Sequence, residues 1–324
     1  MQTCRRFFTV ICLIFATAAT LHAAPPKEER TIVEAGLGAF YSPDGKWLAY
    51  KPSLLKFGFV STAPKAKPTF EGDFGYAAFM PDSKNIVVLD TNRKVQVISV
   101  ATGKSSRTLA IPFKNDNDSG QSIAISNDGK KIALTSVLNT ALIMDAEKGA
   151  KVADLEKCIA HRLEFTKDDA AVVGYDGDGN ICTWEVSSGK KTNSWHVGER
   201  DIVQCAFSSD GKLAAAAEAD TGVVHLWDMA QAKDLGQLKN FKFINAIAIS
   251  PDGKTVAVGC IQPKEKAQVK LWEMSTQKEL DGIKDLPTRV QGLSFAPDGK
   301  SLVVCTEASF DSTTKAAVRL FSMP

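Results

Sequence analysis

"FSSDGKLAAAAEADTGVVHLWDMAQAK", residues 207–233, reads as two chain reversals in succession. A β-run ends in an apolar residue, a Ser-Asp-Gly turn reverses the chain, and a run of small apolar residues follows. Asx-Gly pairs accept the positive φ angles that tight hairpins demand. A third run then carries one large residue, Trp227. The first phrase recurs along the chain as "FYSPDGKWLAY", "FMPDSKNIVVL", "ISNDGKKIALT", "FTKDDAAVVGY", "ISPDGKTVAVG" and "FAPDGKSLVVC". Its aspartates are Asp44, Asp82, Asp128, Asp168, Asp210, Asp252 and Asp298, separated by 38, 46, 40, 42, 42 and 46 residues. The large residue of the third run is Phe59, Ile98, Met144, Trp184, Trp227, Trp272 and Phe321 in turn.

A period of roughly 42 residues lies in the range of four-stranded propeller blades. "VHLWDMAQAKDL" and "VKLWEMSTQKEL", together with the "SPDG" turns, resemble the WD-repeat (WD40) family of β-propellers, and the resemblance runs over nearly the whole chain. It implies an all-β fold: a single seven-bladed β-propeller of four-stranded antiparallel blades. The last copy stops at "AVRLFSMP", after its third run, whereas "RTIVEA" precedes the first hairpin as a spare β-run. In such propellers an N-terminal strand completes the last blade, and closure removes exposed sheet edges. The expected organisation is a leader over residues 1–24, a short polar segment over 25–30, and the propeller over 31–324.

The leader is read from "MQTCRRFFTVICLIFATAATLHAA": Arg5 and Arg6, then an apolar stretch over residues 7–21 and small residues at Ala23 and Ala24. The stretch is shorter than the ~20 residues a membrane span needs. A removed secretory signal is expected, hence a divergent exported member, secreted or periplasmic. Losing Arg5 and Arg6 lowers Lys+Arg from 39 to 37 against 37 Asp+Glu, a net charge of zero. That balance gives no basic footprint for nucleic acid. Cys158, Cys182, Cys205, Cys260 and Cys305 remain, without CxxC spacing, several of them inside apolar runs; buried small hydrophobes are expected.

"GYDGDGNICTWE", residues 174–185, sets Asp176, Asp178 and Asn180 at alternate positions, the opening of a calcium loop. An EF-hand would continue with Gly where Ile181 stands and end on Glu where Ser187 stands. Calcium is therefore disfavoured, leaving a weak solvent-facing cation site as the alternative. The family resemblance implies a structural role instead, with Asp178 bracing His161 and Trp184, although "AAVVGY" lacks the strand-two hydroxyl that would complete the network. Trp227 and Trp272 are expected to pack blades in the same way as Trp184.

No HExxH, nucleophile elbow, phosphate loop or dinucleotide fingerprint is present, and no cofactor is called for. Three enlarged loops, residues 51–56, 261–268 and 306–316, fall on one face in copies that ring closure makes neighbours. Leu54, Leu55 and Phe310 are their apolar anchors, with Lys264, Lys266 and Lys315 around them. The expected function is a monomeric, non-enzymatic platform for a protein partner. The alternative is a propeller enzyme, hydrolase- or lactonase-like, or a small-ligand binder using the central channel. The first runs ("AFYS", "AAFM", "QCAF", "GLSF") predict a channel lined by small apolar residues, which favours the platform.

Overall fold

The computed structural model describes residues 24–33, 37–90, 94–113, 120–158, 162–175, 178–261, 266–309 and 314–324. These residues form β-strands and no helix. Strand β1 is Lys27–Val33. One sheet of seven strands runs in chain order through β2 (Ala39–Tyr41), β3 (Trp47–Ser53), β4 (Lys56–Ser61), β5 (Pro68–Phe79), β6 (Asn85–Asp90), β7 (Lys94–Ser99) and β8 (Ser105–Ala110). Three four-stranded meanders follow. The first holds β9 (Gly120–Ile125), β10 (Lys131–Ser136), β11 (Ala141–Asp145) and β12 (Lys151–Asp154). The second holds β13 (Arg162–Phe165), β14 (Ala171–Tyr175), β15 (Asn180–Glu185) and β16 (Lys191–His196). The third holds β17 (Ile202–Phe207), β18 (Leu213–Glu218), β19 (Val224–Asp228) and β20 (Lys233–Leu238). A fourth is built from β21 (Lys242–Ile249), β22 (Thr255–Ile261), β23 (Ala267–Glu273) and β24 (Glu279–Leu286). The last sheet orders β1 beside β27 (Ala317–Ser322), then β26 (Ser301–Thr306) and β25 (Val290–Phe295).

Six sheets therefore stand where seven were expected, and β5 is the reason. Its first half pairs with β4 and its second half with β6, so one unbroken strand of 12 residues serves two successive repeats. "PTFEGDFGYAAF" contains Gly72 and Gly75 but no Pro or Asx turn after its first residue to break it. At the other end of the chain, β1 pairs antiparallel with β27 from Lys27↔Ser322 to Val33↔Val318, as the spare N-terminal run predicts. Arg319 Nε lies 3.6 Å from a Glu28 oxygen across that seam.

The repeated aspartate phrase has one geometry in all seven copies. The amide of the residue after each aspartate donates to the carbonyl three positions back, as in Gly45 N to Ser42 O at 2.9 Å and Gly253 N to Ser250 O at 2.9 Å. That donor residue is Gly45, Ser83, Gly129, Asp169, Gly211, Gly253 and Gly299, and φ is positive at every one. A single left-handed residue per turn explains the preference for Gly, with Ser83 and Asp169 bearing the cost elsewhere. In five copies a Ser or Thr two residues before the aspartate locks the turn. Ser126 Oγ, for example, donates to Asp128 Oδ1 at 2.7 Å and accepts from Lys131 N at 2.8 Å.

The core consists of seven hydrophobic clusters, each shared by one repeat and the next. The cluster of Leu48, Tyr50 and Val60 with Val303, Cys305 and Val318 joins the first repeat to the last. Ala214, Ala215, Ala216 and Ala217 are buried, with Ala214 and Ala216 facing one cluster and Ala215 and Ala217 the next. Period-2 alternation in a strand covered on both faces accounts for a run with no polar residue. Cys158, Cys182, Cys205, Cys260 and Cys305 are all buried, as expected.

Candidate functional site

Which end of each sheet faces outward follows from the hairpin turns. Neighbouring turns touch from repeat to repeat: Asp44 N donates to Ser83 Oγ at 3.0 Å, Asn127 N to Asp169 Oδ1 at 2.7 Å, and Ser209 Oγ to Pro251 O at 2.9 Å. A Cβ placed on Gly45 would sit 3.5 Å from Pro297, so the first and last turns also abut. The turns thus share one end of the molecule. Antiparallel pairing puts the loops between second and third strands, and the starts of the first strands, at the opposite end.

That opposite end carries the exposed apolar side chains. Leu54 (74% exposed) and Leu55 (58%) form the β3–β4 turn. Val137 and Leu138 occupy the equivalent β10–β11 turn, and Val203 and Phe243 stand near the starts of β17 and β21. The other large exposed apolar residues, Val152 and Leu280, lie on the outer strands β12 and β24. None among the described residues lies in the hairpin turns. Leu54 and Leu55 therefore project outward. Lys266 and Lys315 are exposed as well, while Lys264 and Phe310 lie outside the described residues. Val137, Leu138, Val203 and Phe243 are additions to the anchors read from sequence. Long loops guided that reading, and these four sit in a short turn and at strand starts.

Between the sheets lies a cavity of about 720 Å³ lined by first-strand residues of all seven repeats, among them Phe40, Ala78, Ala124, Leu163, Gln204, Ile247 and Leu293. The expected small apolar lining is present only in part. Gln121, Arg162, Glu164, Asn245 and Gln291 also line the cavity, because the strand starts alternate inward with polar residues that the quoted four-residue runs did not include, and Gln204 of "QCAF" joins them. Arg162 Nη2 lies 2.9 Å from Glu164 Oε1, and the Arg162 side chain is 57% exposed. The Glu164 carboxylate raises the Arg162 pKa above its ordinary value. Burial pushes the Tyr175 hydroxyl beside it up to about 12. Lys51 donates to Gly75 O at 3.0 Å and lies over the Phe57 and Tyr76 rings at 5.3 and 5.1 Å; desolvation lowers its pKa. The cavity thus holds the engaged Arg162–Glu164 pair, the Lys51 ammonium and a set of amides.

The acidic turn is described only in part. Asp176 and His161 lie outside the described residues, so the expected brace is not drawn there. Asn180 Oδ1 lies 3.2 Å from His196 Nδ1, its partner in the β15–β16 ladder. Among the described residues no three His, Cys, Asp or Glu side chains converge as a metal site. Trp184 is buried and donates to Glu156 O at 2.9 Å, with Lys191 Nζ 5.3 Å from its ring centre. Trp227 and Trp272 pack on neighbouring clusters, and their buried Nε1 groups find no hydrogen-bond partner among the described residues.

One buried polar pair escaped the sequence reading. Glu218 ends β18, and its Oε1 lies 3.5 Å from His225 Nε2 on β19. The same oxygen accepts from the amides of Glu199 and Arg200, at 2.5 and 3.2 Å, which pins the loop leading into β17. Burial works to raise the Glu218 pKa. The Thr221 hydroxyl, those two amides and His225 outweigh it and hold the carboxyl below its ordinary value.

Repeating antiparallel sheets whose first strands face a common cavity define a propeller-like repeat protein. The comparisons agree. Residues 189–228 match the family model described as WD domain, G-beta repeat. The chain is 26% identical over 189 residues to the WD repeat-containing protein SL1-17 of Schistosoma mansoni, covering 56% of this chain and 60% of that protein. It is 24% identical over 244 residues to eukaryotic translation initiation factor 3 subunit I of Drosophila virilis, covering 70% of this chain and 75% of the relative. The Drosophila melanogaster subunit aligns at 23% identity over 235 residues, 69% of this chain and 72% of the relative. The matched repeat and these relatives support a WD-repeat protein.

These relatives overturn the expected secreted or periplasmic location. Those relatives are named for translation initiation, an intracellular process, which counts against export. Residues 1–23, on which that expectation rested, lie outside the described residues.

Proposed function

We propose that this chain is a non-enzymatic, monomeric protein-interaction platform shaped as a closed ring of seven blades. In this reading the seven-stranded sheet counts as two blades that share β5, and the ring expected over residues 31–324 begins instead at Lys27, the start of its closing strand. The seven inter-repeat clusters, the seven-repeat lining of one cavity and the β1–β27 pairing support it. The observation that carries the function is the gathering of Leu54, Leu55, Val137, Leu138, Val203 and Phe243 at one end of the sheets. Apolar anchors in a polar surround are where interfaces concentrate their energy. Lys266 and Lys315 belong to this face; Lys264 and Phe310, the other residues read from sequence, lie outside the described residues. The relatives named as subunits of an initiation factor work inside an assembly, and the same kind of role, a docking site within a multi-protein complex, suits this chain.

Photo-crosslinking tests the reading. Crosslinkers at Leu55 and Leu138 should capture a partner, and crosslinkers in the hairpin turns, at Lys130 and Lys254, should not. Equal capture from both ends would overturn it. A second reading, a small-ligand site in the central cavity, is favoured by one observation: the largely exposed Arg162 side chain lining the cavity.

A further inference from the structure

Phe243 breaks three local rules at once. It is a bulky aromatic at φ +53, a region that L-residues other than Gly, Asn and Asp rarely enter. It is 56% exposed in the first strand of its sheet, between Phe241, just before the strand, and Ala246, within it, both of which are buried. It also sits in a wide irregularity: on β21 three residues separate the paired positions Lys242 and Ala246, against a single residue, Cys260, between their partners Ile261 and Gly259. Bulges of this kind re-aim side chains and cluster at functional sites, where backbone strain is tolerated because the surroundings hold it. Here the bulge turns an aromatic ring out of the core and into solvent.

Two cations flank that ring. Lys242 Nζ lies 5.2 Å from the ring centre and Arg289 Cζ 5.7 Å. Arg289 is held in place from behind. Its Nε lies 3.6 Å from Glu307 Oε1, its carbonyl accepts from Glu307 N at 3.1 Å, and the adjacent Thr288 Oγ1 donates to Glu307 O at 2.6 Å. The Glu307 carboxylate is engaged a second time, by Gln291 Nε2 at 2.7 Å. Along the two approaches, residues 239–243 and 285–289, the charges are Lys239, Lys242 and Arg289 against Asp285, with Glu307 as the second acid, paired to Arg289 from behind. The ring and its cations form a prepared surface: an exposed apolar plate with cations at its edges, three against the two acids Asp285 and Glu307, and Lys242 in no ion pair with either.

We infer that Phe243, Lys242 and Arg289 form the anchor site of the interaction face, and that it takes an acidic segment of a partner protein carrying an apolar side chain. The apolar side chain packs on the Phe243 ring while the flanking carboxylates meet Lys242 and Arg289. Rigid aromatics supported by positioned cations have the properties of interface hot spots, because little ordering entropy is lost on binding. This inference rests on the platform reading and narrows it to one corner of the face.

The probes are short dye-labelled peptides in which Glu alternates with Leu and Trp, compared with matched peptides carrying Lys or Gln in place of Glu. Fluorescence anisotropy on the full chain should show the Glu peptides binding tightest, with affinity falling as salt is raised. Phe243→Gly and Arg289→Ala should each weaken that binding tenfold or more. Glycine adopts the φ of residue 243 freely, so Phe243→Gly should keep a melting temperature within about 2 °C of the parent and separate binding from folding. Equal binding of the Lys or Gln peptides, or unchanged binding by Phe243→Gly, overturns the anchor site. Should crosslinks from Leu55 and Leu138 persist in that case, the platform stands and only its acidic-segment anchor falls; loss of both removes the platform as well.

Discussion

Ser250 shows how much of this fold is decided one residue at a time. Its Oγ donates to Asp252 Oδ1 at 2.6 Å and accepts from Thr255 N at 2.9 Å, so one hydroxyl closes a hairpin. That hydrogen bond, assisted by the Lys254 amide and ammonium against the effect of burial, holds the Asp252 pKa below its ordinary value. Ser250→Ala should cost about 1–2 kcal/mol in a urea melt, the value of a hydrogen bond whose removal strands a buried donor. It should also move the Asp252 carboxyl back toward the ordinary range in an NMR titration. Asp44, Asp82, Asp128, Asp168, Asp210 and Glu218 are likewise depressed. A carboxyl whose folded pKa lies below its unfolded one adds stability above the unfolded value, near 4, and loses it as pH falls through the folded value. The melting temperature should therefore be level from about pH 5 to 7 and drop below about pH 4. Glu218→Gln should lose part of that drop. An unchanged acid profile in Glu218→Gln would mean that its contacts with the Glu199 and Arg200 amides contribute no pH dependence.

At the scale of the strand and hairpin, the third-strand tryptophans look interchangeable in sequence and differ in structure. Trp184 anchors β15 to the carbonyl of Glu156, in the segment after β12, whereas the buried Nε1 groups of Trp227 and Trp272 find no acceptor among the described residues. Trp184→Phe loses that bond and leaves a carbonyl short, so it should cost about 2 kcal/mol. Trp227→Phe removes a donor that is already unsatisfied and should cost no more than about 1 kcal/mol. Chemical denaturation of the two variants side by side checks the order; equal costs would refute it. The repeat period, the turn residues and the third-strand aromatics were legible because each is written locally, in Asp-Gly pairs and alternating apolar runs. The continuity of β5 was not, since nothing in "PTFEGDFGYAAF" says that both halves will find partners in one sheet. The Glu218–His225 pair and the exposed Phe243 were hidden for a related reason. The first depends on two strands meeting in register, and the second on a bulge that no residue pattern announces.

At the scale of the molecule, the critical contact joins residues almost 300 positions apart. Ser322 Oγ reaches Lys27 O at 3.3 Å, with |i−j| = 295, and β1 supplies the outer strand of a sheet otherwise built from β25, β26 and β27. Without β1, the β27 edge is open and Val33 no longer covers the cluster that joins the first repeat to the last. Each ladder hydrogen bond contributes roughly 1 kcal/mol net, and the cluster adds the transfer of Val33. Deleting the residues through Val33 should thus lower stability by about 3–5 kcal/mol. The freed strand edge should also pair with a second copy of itself, since unpaired edges recruit strands. Calorimetry and sedimentation at several concentrations read both effects. A variant that melts with the parent and stays monomeric would mean that β1 is an accessory strand, and that the packing of the first repeat on the last holds the chain ends together without it.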